Sequence, residues 1–205
     1  MTVSKIGAAV TLDNIDTVFG WLCEQDRPVE IQDFTPPNVL SSDLSNLISA
    51  YQEKLQAHHG PRGVHGPFFG LDLGNLDVAF QKMITARLIS SLEICEQVHA
   101  QYMVIHSPFN DWVKLNQWQY PFVQPGIIAA MGDILKAPLQ RATDIGCTLV
   151  LENCDDTDPN MRMRAVREID HPNLKLSVDT GHAHLSHCNY NAPSVVDFIA
   201  ASENL

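Results

Sequence analysis

Short apolar runs alternate along the chain with longer stretches of helical period. The runs Lys5–Val10, Val29–Phe34, Gly63–His65 with its flanks, Tyr102–His106, Thr148–Glu152 and Leu174–Asp179 have strand length and polar or turn-forming neighbours. Between them, Asn14–Gln25, Ser42–Ala57, Val78–Ala100, Pro125–Ile145 and Asn160–Ile169 read as helices. A last helical stretch begins at Ser194, after a loop over Leu185–Pro193. Six repeats of strand then helix predict an α/β fold, a parallel sheet with helices outside it. Met103-Val104-Ile105 and Leu149-Val150-Leu151 suit strands covered on both faces.

Local chemistry marks several boundaries. Asp13 or Asn14 is expected to cap the first helix, and Ser41 or Ser42 the second, by accepting an orphan backbone N–H. Gly146 stands where a helix wants a left-handed residue before the next strand. Pro138 falls inside a helical pattern and should kink or interrupt it. An open doubly wound sheet is the competing architecture. The turn after the first strand, Val10-Thr11-Leu12-Asp13, has no glycine fingerprint for a dinucleotide.

Four consecutive strands end in polar groups: His65, His106, Glu152 and Asp179. In a closed parallel barrel those ends converge on the face where barrel enzymes place their sites. Two imidazoles and two carboxylates gathered there form a donor set for a divalent cation. Alternation places Lys175, Ser177 and Asp179 on one side of the last strand, and Leu174, Leu176 and Val178 on the other. By the same rule Glu152 faces inward with Val150, and His106 with Val104. His182, three residues after Asp179, reaches back over the same mouth. His184 and His187 fit a solvated loop equally well. Glu30 alternates inward with Gln32 on the second strand and is a candidate to touch substrate or support the site.

Composition narrows the partners. The 205 residues include 24 acidic and 13 basic side chains, a net charge of −11. No Lys/Arg cluster of the kind that neutralises phosphates is present, which disfavours nucleic acid. No linker or low-complexity tract divides residues 1–205, so one domain is expected. Five scattered cysteines without a CxxC pair argue against a disulfide scaffold and suit a reducing, cytoplasmic setting. No run of 18 apolar residues occurs, so no membrane partner is expected.

Four segments carry a resemblance. Val64-His65-Gly66-Pro67-Phe68, Val104-Ile105-His106-Ser107-Pro108-Phe109, Val150-Leu151-Glu152-Asn153 and Val178-Asp179-Thr180-Gly181-His182-Ala183 resemble the sugar phosphate isomerase/epimerase group. That group belongs to the xylose-isomerase-like TIM barrel superfamily, which also holds endonuclease IV. The resemblance implies that Glu152 and Asp179 ligate a metal (manganese, zinc or magnesium) and that Glu152 is also catalytic, moving a substrate proton. His182 matches a residue that binds substrate in the epimerases and a further metal in the endonuclease. His65 and His106 match metal ligands of the endonuclease branch and pocket residues of the epimerase branch. Phe68, Phe109 and Trp112 are candidates to line a sugar pocket, or equally to serve plain packing.

In one respect the chain departs from that pattern. The family completes its metal site with a histidine on the seventh strand and a glutamate on the eighth, and this sequence stops where the seventh should begin. About six of eight βα units are therefore expected, as a fragment or a natural truncation. The expected activity is a metal-dependent isomerase or epimerase acting on a sugar, sugar phosphate or polyol through an enediolate. The alternatives are an endonuclease IV-like phosphodiesterase and an inactive truncated barrel. Open sheet edges lead to the expectation of a homo-oligomer.

Overall fold

The computed structural model describes residues 5–202. Its strands are β1 (Ala8–Val10), β2 (Val29–Ile31), β3 (Arg62–His65), β4 (Tyr102–His106), β5 (Thr148–Glu152) and β6 (Leu174–Ser177). They form one sheet in sequence order, and every pairing is parallel. The helices are α1 (Phe19–Glu24), α2 (Ser45–Lys54), α3 (Val78–Gln97), α4 (Asp111–Asn116), α5 (Val123–Ile145), α6 (Pro159–Ile169), α7 (Thr180–Tyr190) and α8 (Val195–Ser202). Right-handed crossovers in strict sequence order put the intervening helices on one side of the sheet. The other side is concave. Ala9 of β1 and Asp179 just beyond β6 line the same cavity, whereas in a flat sheet five strand spacings would set them about 24 Å apart. The sheet is therefore an arc of a barrel and not a doubly wound layer.

Strand alternation sorts the two faces. Met103, Ile105, Leu149, Leu151 and Leu174 are buried in the main core beneath the helices, each contributing about 1.5–3 kcal/mol by its removal from water. The alternate residues face the concave side in level rows. One row runs Ala9, Glu30, Gly63, Tyr102, Thr148, and the next His65, Val104, Val150, Lys175. The uppermost holds His106, Glu152 and Ser177. Gly63 is required by its neighbour in the row: a Cβ there would lie 2.1 Å from the Tyr102 ring.

The outer layer is held by polar contacts as well as packing. Pro138 lies inside α5, yet the helix is continuous. Proline leaves the carbonyl four residues earlier without its N–H, and the Thr85 hydroxyl on α3 donates to that carbonyl, Ile134 O, at 3.0 Å. The expected interruption is thereby averted by a neighbouring helix. At the opposite end of the barrel from the site, Arg62 donates to the carbonyls of Leu55, His58 and Val98, a cation placed where helices end. Gly146 ends α5 at φ +68°, and the Cys147 N–H closes the turn on Ala142 O at 2.8 Å.

Several expected boundaries change. The strands expected over Lys5–Val10, Val29–Phe34 and Leu174–Asp179 begin at Ala8 or end at Ile31 and Ser177, because their outer residues turn into loops. Asn14 accepts from the Thr11 N–H and not from a helix donor. Asp43, rather than Ser41 or Ser42, bonds the Ser45 N–H at the start of α2. The loop expected over Leu185–Pro193 is largely helix, since α7 runs to Tyr190. Its start is fixed by Asp179, whose carboxylate accepts the His182 N–H at 2.6 Å. Among the described residues no helix is long and apolar enough to cross a membrane.

Candidate metal and substrate site

Hydrogen bonds carry the sheet past its formal strand ends and so set the spacing of the polar groups. The Gly66 N–H donates to Val104 O, and the Ser107 N–H to Glu152 O, at 2.9 and 2.8 Å. His65, His106 and Glu152 then stand on adjacent strands at the same end. A cavity of about 390 Å³ opens there, lined by Glu30, Gln32, His65, Phe68, His106, Glu152, Cys154, Asp179 and His182, with Ala9 at one edge.

The donors fall into two overlapping triads. His65, His106 and Glu152 offer ligand atoms within 4.8 Å of one another, and so do Glu152, Asp179 and His182. Glu152 belongs to both. His65 Nδ1 donates to Gly66 O at 2.9 Å, and His182 Nδ1 lies 3.1 Å from Asn153 O. A neutral imidazole whose Nδ1–H is held by a carbonyl presents Nε2 as a lone pair, the arrangement that orients metal-binding histidines. The Nε2 atoms of His65 and His106 face each other at 3.3 Å. Two imidazole nitrogens at that distance are satisfied when one carries the proton, or when both lone pairs meet a cation. The donor set, its spacing and its second contacts thus fit a divalent metal ion.

Burial sets the charges. Removal from water, with the Asp179 and Glu30 carboxylates nearby, pushes the Glu152 carboxyl up to about 7. Burial, joined by the His65 and His182 imidazoles, pushes His106 down to about 4, and burial also lowers His65. Burial raises Glu30 despite the hydrogen bond it accepts from Gln32 at 2.7 Å. At neutral pH the cavity therefore offers the neutral imidazole of His106, with His65 shifted in the same direction, and a Glu152 carboxyl group poised between its two forms.

Behind the cavity lies a support layer that the sequence did not disclose. Arg162 on α6 is fully buried. Its Nη1 donates to Leu151 O at 2.9 Å and also to Ser177 O, joining the ends of β5 and β6. Its Nε lies 4.0 Å from Asp156, which accepts from the Ser107 hydroxyl at 2.9 Å and from the Cys154 N–H at 3.2 Å. Asn153, also buried, bonds the backbone of Asp179. The only prior signal for this layer was an Arg and an Asp spaced through α6 and the loop before it, indistinguishable in sequence from a solvated pair.

Of the residues expected at the site, His65, His106, Glu152, Asp179, His182, Glu30 and Phe68 line the cavity together. Phe68 stacks on His106 with ring centroids 4.5 Å apart and planes at 23°. Phe109 and Trp112 do not line it. Phe109 is buried in the main core, its N–H on the Ser107 hydroxyl, and Trp112 on α4 is exposed. His187 sits away from the cavity, its ring on Ala192 O at 2.7 Å.

A family model for the xylose isomerase-like TIM barrel matches residues 28–203. Among solved structures, a D-tagatose 3-epimerase-like protein aligns with a TM-score of 0.72 and 18% identity, over 98% of this chain and 72% of its own. The 3-keto-D-glucoside 4-epimerase YcjR from E. coli, in its apo form, gives 0.67 and 18%, over 98% of this chain and 76% of its own. The TTHB071 protein from Thermus thermophilus, soaked with zinc chloride, gives 0.64 and 22%, over 87% and 67%. At these identities the likeness is one of fold, and no curated protein sequence matches. By the family match, which spans most of its length, the chain belongs to the xylose isomerase-like TIM barrel family.

Proposed function

We propose that the site is that of a metal-dependent isomerase or epimerase acting on a carbohydrate by proton transfer at a carbon next to a carbonyl. The observation that carries the reading is the convergence of Glu152, Asp179, His65, His106 and His182 on one cavity at the strand ends. Glu152 and Asp179 would hold a divalent cation with the imidazoles. When bound, the ion supplies Lewis-acid polarisation of the substrate's carbonyl and hydroxyl oxygens. Glu152, lining the same cavity beside Asp179, is placed to take a proton from carbon and return it. Removal of that proton leaves an enediolate. Gln32, Glu30 and His182 present polar groups to sugar hydroxyls, and Phe68 a flat wall for the carbon skeleton. The names of the structural neighbours, two of them epimerases or epimerase-like, agree with this class.

A second reading has one observation in its favour. Two triads sharing Glu152 would suit more than one cation, as in a phosphodiesterase of the endonuclease IV kind. The unpartnered outer edges of β1 and β6 among the described residues favour self-association, which light scattering would report. Proton exchange separates the two activities. In deuterated water with manganese, the isomerase reading expects label to enter a ketose next to its carbonyl, and Glu152→Gln to abolish the exchange. Cleavage of an abasic-site duplex with zinc, and no exchange, would instead establish the phosphodiesterase.

A further inference from the structure

Lys175 of β6 faces the concave side below Ser177 without lining the cavity, and the loops around the site described above are almost devoid of fixed cations. The segments that follow the strands at this end, 11–14, 32–44, 66–77, 107–122, 153–158 and 178–179, carry ten aspartates and one basic side chain, Lys114. Lys114 is engaged by Thr157 O at 3.1 Å. The cavity itself is lined by Glu30, Glu152 and Asp179, with no Lys or Arg among them. Arg162, the nearest guanidinium, is buried behind Glu152 and spends Nη1 on two backbone carbonyls.

The usual uncharged seat for phosphate is also taken. In parallel barrels a phosphate group commonly rests on the N-terminus of a helix, where free N–H groups and the helix dipole favour an anion. Here three helices that begin on this face are sealed by their own carboxylates. Asp77 accepts from Ala79 N–H at 2.7 Å, Asp158 from Asn160 N–H at 2.9 Å, and Asp179 from His182 N–H at 2.6 Å. A phosphate dianion arriving at any of them meets a negative charge already in place.

The rim supplies the opposite chemistry. The rings of His106, Phe68 and Phe69 form a row that runs outward from the cavity, Phe68 stacked on His106 with centroids 4.5 Å apart and Phe69 tilted by 33° against Phe68 at 4.1 Å. Phe69, its outer member, is 59% exposed. Such a surface receives the C–H face of an uncharged sugar ring.

From the aspartate-sealed helix ends and the aromatic row, we infer that the substrate is an unphosphorylated, uncharged carbohydrate, and that phosphate esters are excluded by charge. This deepens the isomerase reading and rests on it. The test uses the manganese-saturated chain with D-fructose and its terminal phosphate ester as paired probes, followed by calorimetry. The ester is expected to bind about tenfold or more weakly, and the gap to narrow as sodium chloride rises from about 0.05 to about 0.5 M, because screening acts only on the charged ligand. Asp155→Lys, an exposed change outside the lining, should strengthen ester binding and leave fructose binding unchanged. Phe69→Ala should weaken fructose binding. Tighter binding of the ester than of fructose would overturn the inference and leave the isomerase reading standing. Binding of neither, by protein that still takes up manganese, would overturn the reading of the site itself.

Discussion

Asn153 and Asp179 exchange two hydrogen bonds: the Asp179 N–H donates to Asn153 Oδ1, and Asn153 Nδ2 donates to Asp179 O, each at 2.9 Å. A side-chain amide thus imitates a strand partner and continues the β5–β6 pairing past Ser177. Asp179 is held at a fixed distance from Glu152, the residue before Asn153. Asn153→Ala strands the Asp179 N–H and leaves Asp179 O only the Ala183 N–H, which should cost about 1–3 kcal/mol in urea unfolding of the metal-free protein. Zinc or cobalt affinity should fall about 10–100-fold by calorimetry, as for other contacts that orient metal ligands. Unchanged affinity in a folded variant would show that the pair does not position the site.

Metal uptake should depend on pH through Glu152. With its carboxyl near 7 in the metal-free protein, the proton is largely present at about pH 6 and must leave when a cation binds. Burial has already pushed His106 down to about 4, so it has no proton to lose there, and His65 is shifted in the same direction. Calorimetry in buffers of differing ionisation enthalpy should count about one proton released near pH 6 and little near pH 8.5. In Glu152→Gln the count should no longer change between those conditions.

The Asp156 carboxyl should cost the metal-free protein stability as pH rises, against the opposite trend of His106, whose lowered titration adds stability between about pH 4 and about pH 6.5. Burial outweighs the Arg162 and Ser107 contacts and pushes the Asp156 carboxyl up to about 6. A raised carboxyl means that the folded state holds its proton more tightly than the unfolded chain does. The contribution of Asp156 to stability therefore falls as pH rises from about 4 to about 6, and the loss persists above that range, on the order of a few kcal/mol. Glu152 adds the same trend up to about 7. Urea midpoints of wild type and Asp156→Asn with a chelator at about pH 5 and about pH 8 test the sign, and an advantage of the variant over wild type that is no larger at the alkaline value would contradict it. Arg162→Met should steepen the decline, because it leaves Asp156 buried without its cation.

Thr85→Val removes the only side-chain donor described at Ile134 O while keeping nearly the same volume. The carbonyl released by Pro138 is then unsatisfied, and a loss of about 1–3 kcal/mol is expected. In the double variant Thr85→Val/Pro138→Ala the helix supplies its own N–H, and most of that loss should return, as a double-mutant cycle would measure.

The repeating rhythm and the strand ends were legible because they depend on short-range alternation. His65, His106, Glu152 and Asp179 each close an apolar run, and that pattern survives errors of two or three residues in the boundaries. Helix α7 was not legible. Thr180–Tyr190 is rich in His, Ser, Asn and Cys, which favour helix weakly, and no apolar stripe marks its buried side. Phe109 and Trp112 were adjacent in sequence to the site and yet separate from it, because the direction of a side chain in a loop has no periodicity to reveal it. Arg162 illustrates the same limit from the other side: a charge buried by tertiary packing looks, in sequence, like a charge in water.

Gly63 and Tyr102 have a consequence for how this barrel can vary. The glycine on β3 gives the tyrosine ring on β4 its room, so the two positions behave as one unit of volume divided unequally between neighbouring strands. A larger residue at 63 should be damaging alone and tolerated when 102 is made small, so that Gly63→Val with Tyr102→Ala outperforms Gly63→Val by itself in thermal unfolding. Substitutions at these positions would then be inherited in pairs, and exchanging large for small between the two strands would move the bulk inside the barrel toward β3 without changing how much of it there is.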